Sequence, residues 1–291
     1  MTILVTGGTG TVGSRVVANL AAVGHDTRVL TRSPEKAAAL PEGVAGAIGA
    51  LSEPSTLGPA FEGVDRLFLL TPLARDEVDQ GLAAIEAAQT AGVERIVFMS
   101  VHRADEAPRI PHFASKVEIA HGLERSGVPY TVIEPNSFYQ NDVWFQQPLA
   151  EFGVYPNPLG SVGLNRVDVR DIAVAAVAAL TEDGHLGQHY PVVGPEVWTG
   201  EGSAQVWSAA LNSGVIYGGD DLDRWSQAAS NMMPVWLVAD LRIMFEEFQE
   251  RGLLASDDDF ARQRRILVRD PIPFDRFATE LAATWKAHAG A

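Results

Sequence analysis

Apolar positions over the first two-thirds of the chain alternate between short unbroken runs and longer stretches in which they recur every three or four residues. Ile3-Leu4-Val5 is the first run. Val12, Val16, Leu20 and Val23 then share one face of a helix that Gly24 ends as a left-handed cap. Residues 27–31 read as a second strand, followed by Ser33-Pro34-Glu35, a hydroxyl cap with proline at the first helical position. Residues 44–48 and 67–70 are the third and fourth strands. Asp76 is positioned to cap a helix whose buried stripe reads as Val78, Leu82 and Ile85 and which stops at Gly92. Residues 93–99 make a fifth strand, 113–125 a helix, and 130–133 a sixth strand ending at Pro135. Continuous apolar strands alternating with helices predict an α/β protein with a Rossmann-type doubly wound parallel sheet.

After Pro135 the rhythm breaks. Trp144, Trp198, Trp207, Trp225 and Trp236 fall in loop-rich or isolated helical sequence. A core helix is expected over 168–180, and an amphipathic one over 236–248 within a smaller, mainly helical C-terminal lobe. No repeat or low-complexity linker separates the parts, so residues 1–195 and 196–291 are expected to share one cleft, some of it lined by segments after 136.

The first run feeds Thr6-Gly7-Gly8-Thr9-Gly10-Thr11-Val12-Gly13, read either as G-x-x-G-x-x-G or as G-x-G-x-x-G. Glycine permits the sharp turn, lets backbone approach a diphosphate, and allows close helix–strand packing. Amides at the helix start then face the anion with the helix dipole behind them. The bland alternative is a structural turn, but the strand before it and the amphipathic helix after it favour dinucleotide binding. The acid that holds an NAD ribose is expected about 20 residues beyond the glycines. Here Arg32 stands 19 residues beyond Gly13, with Lys36 one helical turn later. Forked, permanently charged donors suit a 2′-phosphate, which predicts NADP(H) as cofactor; a solvated surface arginine is the alternative.

Composition narrows the partners. Asp and Glu number 37 against 22 Lys and Arg, a net charge of −15 that repels nucleic acid and anionic lipid, so a small-molecule substrate is the expected partner. The longest apolar run, residues 172–180, is far shorter than a membrane span, which needs ~20 residues. The amino terminus lacks the charged start of a signal peptide, so a cytoplasmic protein is expected, monomer or homodimer being left open. With no Cys and no metal-ligand spacing among seven His, no metal site is expected.

Residues 6–13, Phe98-Met99-Ser100, His112-Phe-Ala-Ser-Lys116, the stretch 126–141 with its Pro135-Asn136-Ser-Phe138-Tyr139-Gln-Asn141 segment, and Val167-Asp-Val-Arg-Asp171 together resemble the NmrA-like family. These are atypical short-chain dehydrogenases/reductases. The resemblance covers most of residues 1–195 and implies an NADPH-dependent reductase of quinones, azo compounds or dyes. A non-catalytic NADP(H)-sensing regulator that acts through a protein partner is the other activity known in the family. It implies a cofactor site formed by Gly7, Thr9, Gly10, Thr11, Val12, Gly13, Arg32, Lys36, Thr71, Pro72, Ser100, Lys116, Pro135, Asn136 and Phe138. Typical relatives carry Tyr-x-x-x-Lys, in which Tyr donates the proton; this chain has His112 in the Tyr position and Lys116 four residues on. Lys116, His112 and Tyr139 are therefore the catalytic candidates. A family Asp after the third strand is replaced here by Ala50.

Overall fold

The computed structural model describes residues 1–289. Strand–helix units run in order as β1 (Thr2–Val5), α1 (Gly13–Ala22), β2 (Asp26–Thr31), α2 (Pro34–Ala38), β3 (Val44–Ile48) and α3 (Leu57–Phe61). They continue as β4 (Arg66–Leu69), α4 (Glu77–Ala91), β5 (Arg95–Met99), α5 (Pro111–Ser126) and β6 (Tyr130–Pro135). Next come α6 (Gln146–Ala150), β7 (Val154–Tyr155), α7 (Val169–Thr181) and β8 (His189–Val192). The remainder is α8 (Gly200–Leu211), β9 (Ile216–Tyr217), α9 (Leu222–Ala229), α10 (Val235–Arg251), α11 (Asp257–Gln263) and α12 (Phe274–Ala289).

The main sheet is parallel throughout, in the order β3-β2-β1-β4-β5-β6-β8. This is the doubly wound order with its switch point between β1 and β4, where ligands bind beyond the carboxyl ends of the strands. Buried residues of α1 and α7 form one core with the sheet, and those of α3, α4 and α5 form a second on the opposite face. A third core lies in the lobe and draws on residues from Ala104 to Leu164 as well as from Ala204 to Trp285. At its centre Arg166 and Asp142 are both fully buried and doubly bonded, at 2.7 and 3.3 Å. Trp207 Nε1 donates to the same carboxylate at 3.0 Å, and Arg166 also reaches the Phe138 carbonyl at 3.0 Å. Only Arg166 Nε goes without a partner, and the pair ties the loop after β6 to the lobe.

The local expectations hold at Ser33, whose side chain accepts from the Lys36 amide, and at Gly24 and Gly92, both at positive φ. The structure corrects two helical stripes. On α4 the buried face is Glu77, Gln80, Gly81, Ala84, Ile85 and Ala88; Val78 and Leu82 are only half-buried, and Asp76 bonds Gln80 instead of capping. Val23 follows α1 and is exposed, since α1 ends at Ala22. β8 and the small pair β7–β9 were not anticipated. Among the described residues no helix is long and apolar enough to cross a membrane, and no group of His, Asp or Glu could hold a metal.

Candidate functional site

The glycine turn lies at the sheet's switch point. Thr6 is buried; its Oγ1 donates to the Leu70 carbonyl at 2.9 Å and accepts from the Leu70 amide at 2.7 Å, locking the end of β1 to that of β4. Gly7 follows at φ +63°, where a side chain would be strained and would meet Leu70 Cδ2 at 2.8 Å. A Cβ on Gly13 would collide with the Gly7 carbonyl and lie 2.7 Å from its carbon. The helix therefore starts directly against the strand turn. No side chain caps α1, and the amides of Thr11 and Val12 donate to no protein acceptor among the described residues. Thr9, Gly10 and Thr11 are exposed around them. Unpaired amides at an open helix start, beside glycines that admit close approach, fit a diphosphate.

At the carboxyl end of the neighbouring β2, Arg32 and Lys36 are both exposed, and neither side chain has a protein partner among the described residues. Two free cations next to the turn fit the third phosphate of NADP.

The third component lies beyond β4 and β5. Lys116 sits on the second turn of α5, buried, with Nζ 2.7 Å from Thr71 Oγ1 and 2.7 Å from Glu77 Oε1. Thr71 Oγ1 in turn donates to Glu77 Oε1 at 2.7 Å. Burial pushes the Lys116 ammonium below the ordinary lysine range, and the Glu77 carboxylate pulls it back up. Its ammonium has three donors, so one N–H remains for a ligand. The face of Phe98 lies 5.6 Å from it. One turn earlier on α5, His112 bonds through Nδ1 to Asp240 Oδ1 of α10, 2.5 Å away. Pro72 is exposed beside Thr71, and Ser100 is buried just beyond β5 with its amide on the Ile133 carbonyl at 2.8 Å.

The segment after β6 is placed differently from the sequence expectation. Tyr139 is fully buried in the lobe core, its ring centroid 4.9 Å from that of Phe274 and 5.7 Å from that of Phe277. Its hydroxyl has no partner, and burial pushes the phenol far above its usual range, against the pull of Arg166. Enclosed in this way, it cannot reach a substrate, which corrects its candidacy as a proton donor. Asn136 is also fully committed: Nδ2 donates to the Leu253 carbonyl at 2.8 Å and faces His102 Nδ1 at 3.1 Å, while Oδ1 accepts from Ser137. Its side chain is 1% exposed, with both amide N–H groups directed at protein acceptors. Pro135 ends β6, buried, and Phe138 is half-buried against the sheet core.

Two residues of the site escaped the sequence reading. Glu77 belongs to no motif and is one of two acids in the first turn of α4. Asp240 lies 128 residues from its histidine, and only its position among the apolar residues of α10 hinted at burial.

Comparison with known proteins follows the same lines. The family model described as NmrA-like matches residues 1–278. The NAD(P)H azoreductase of Xenophilus azovorans is 38% identical over 293 residues, covering 99% of this chain and 98% of its own. Among solved structures, the NADPH-dependent quinone oxidoreductase of Escherichia coli complexed with NADPH superposes with a TM-score of 0.86 at 24% identity, over 96% of this chain and 99% of that one. The Citrobacter triphenylmethane reductase complexed with NADP(H) gives 0.85 at 23% identity, over 97% and 100%.

Proposed function

The chain belongs to the NmrA-like family, and from that premise we propose that it is an NADPH-dependent reductase passing a hydride to a small apolar, aromatic acceptor of the quinone, azo or imine kind. The azoreductase relative, alignable end to end, supports the reaction class. One observation carries the reading: in a chain of net charge −15, two unpartnered cations stand beside a glycine turn with unpaired amides. When bound, NADPH supplies the hydride. The amides of Thr11 and Val12 face its diphosphate, and Arg32 and Lys36 neutralise its 2′-phosphate. The free N–H of Lys116 serves the nicotinamide ribose, and Thr71, Pro72, Ser100, Pro135 and Phe138 border that end of the cleft. Lys116 is held in place by Thr71 and Glu77, so it orients without reorganising.

Fluorescence titration with both cofactors tests the reading. The native protein is expected to bind NADPH more tightly than NADH, and Arg32→Ala to weaken NADPH roughly tenfold to a hundredfold while barely moving NADH. Equal affinity of the native protein for the two cofactors refutes it. Tight NADPH binding with no turnover of any quinone, azo dye, imine or enone would favour the family's other activity, an NADP(H)-sensing regulator, for which His112 in the tyrosine position is the supporting observation.

A further inference from the structure

The lobe reaches the cleft through one face of α10. Trp236 lies 5.8 Å beneath the guanidinium of Arg75, from the loop after β4, and Asp240, one turn later on the same face, holds His112 at the start of α5. This face of the lobe therefore covers the loops that follow β4 and β5, the two strands at the carboxyl edge where Lys116 and Ser100 lie.

Asp240 is 6% exposed, and among the described residues His112 is its only hydrogen-bonding or charged partner. No arginine or lysine shares the carboxylate. A carboxylate can only accept, so the proton between the two side chains belongs to His112 Nδ1, which fixes the neutral ring as the Nδ1–H tautomer. The ring is further oriented edge-on against Phe113, with centroids 4.9 Å apart at 90°. Nε2 is left over. It has no protein partner, is not among the buried unpaired atoms, and belongs to a side chain that retains 11% exposure. The arrangement is a carboxylate orienting an imidazole whose second nitrogen is left without a protein partner on a side chain that is not fully enclosed.

We propose that Asp240 is a positioning residue, which holds His112 so that its Nε2–H, when the ring is protonated, delivers the proton that accompanies hydride transfer. The inference rests on the reductase reading and adds to it the source of the proton and a division among acceptors. A quinone or azo group takes up a hydride at one atom and a proton at another: the π bond opens, and the His112 Nε2–H bond breaks as the new O–H or N–H bond forms. The imidazole is then neutral and is reprotonated from solvent. A triarylmethyl cation takes up hydride alone, forming one C–H bond and a neutral product, and needs no proton. The dyad therefore matters for the first class and is idle for the second.

The test compares kcat for an azo dye or quinone with kcat for a cationic triphenylmethane dye, both with NADPH, in the native protein, Asp240→Asn, His112→Gln and the double variant. Positioned general acids contribute roughly 10²–10⁴-fold, so the ratio of the two kcat values is expected to fall at least tenfold in each single variant. The double variant is expected to be no worse than His112→Gln alone, because the two residues act as a unit. A readout independent of turnover comes from ¹⁵N NMR of the histidine rings, with His112 assigned by its disappearance in His112→Gln. His112 is expected as the Nδ1–H tautomer in the native protein, with that preference lost in Asp240→Asn. If Asp240→Asn fails to fold, His112→Gln still gives the ratio. Native turnover with an unchanged ratio, or a native Nε2–H tautomer, overturns the dyad and leaves the reductase reading standing. No oxidation of NADPH with either acceptor overturns both.

Discussion

Alanine at Gly13 and alanine at Gly10 should fail in opposite ways, although the two positions are three residues apart in one turn. At Gly13 the added Cβ would lie 2.7 Å from the Gly7 carbonyl carbon and 2.8 Å from Gly8 Cα, all of it backbone. Carbon atoms at ease sit ~3.5–4.0 Å apart, so α1 must withdraw by roughly 0.8 Å from the turn. Overpacking costs about 1–3 kcal/mol, and contact with unyielding backbone puts this case at about 2–3 kcal/mol, of which the better helix propensity of alanine returns up to ~1 kcal/mol. With roughly 1–3 kcal/mol lost and each worth roughly 2–4 °C in a domain of this size, Tm should fall by about 2–12 °C. At Gly10 the only atom within 4 Å of the new Cβ is the Gly7 carbonyl oxygen, at 3.3 Å. The protein should barely notice, within ~0.5 kcal/mol. The methyl instead adds bulk to the exposed turn that precedes the unpaired amides of Thr11 and Val12, and NADPH affinity should drop roughly tenfold or more. Thermal melting and NADPH fluorescence titration on both variants separate the effects. A Gly10→Ala protein that binds NADPH as the native one does removes the diphosphate from this turn. A Gly13→Ala protein that melts within 1 °C of native removes the packing argument, on the ~2–4 °C per kcal/mol scale.

Two further outcomes follow from buried charge. Asp142→Ala leaves the Arg166 guanidinium fully buried without its carboxylate and strips Trp207 Nε1 of its acceptor; urea unfolding should show a loss of about 3–5 kcal/mol, and a loss below ~1 kcal/mol would mean the pair is not the lobe's keystone. His102 is buried, and that burial lowers its ionisation below the usual histidine value, opposed by Asp259. Below pH ~6.5 the unfolded chain binds a proton that the folded one refuses, so this group's contribution to stability is complete above that pH and declines as the pH falls toward the folded value. Stability measured at pH 7.5 and 5.5 should therefore converge in His102→Gln relative to native, and an unchanged gap would refute the assignment.

The alternation of strands and helices and the doubly wound class were legible because they depend on short-range pattern: unbroken apolar runs, helical periodicity, and caps such as Ser33. β8 was missed because His189-Tyr190-Pro191-Val192 lacks an apolar run, and it becomes a strand only by pairing with β6. The stripe on α4 was rotated because Glu77 is drawn inward by Lys116 and Thr71, a partnership that periodicity cannot register. Tyr139 was misjudged for a related reason. A tyrosine beside a cleft in sequence is turned inward by Phe274 and Phe277, more than a hundred residues downstream. Asp240 and His112 likewise meet only after the lobe has folded back.

The lobe's core also bears on how the molecule can be taken apart. Leu149, Tyr155 and Leu164 contribute to it from one side of position 195, and Trp207, Phe248 and Phe274 from the other. Cutting the gene there would leave the amino-terminal piece with an orphaned apolar wall around the Asp142–Arg166 pair, and the carboxyl-terminal piece with Trp207 Nε1 deprived of its acceptor. Neither fragment should persist alone, whereas the two produced together should reassemble, which makes this position suited to a split-protein reporter.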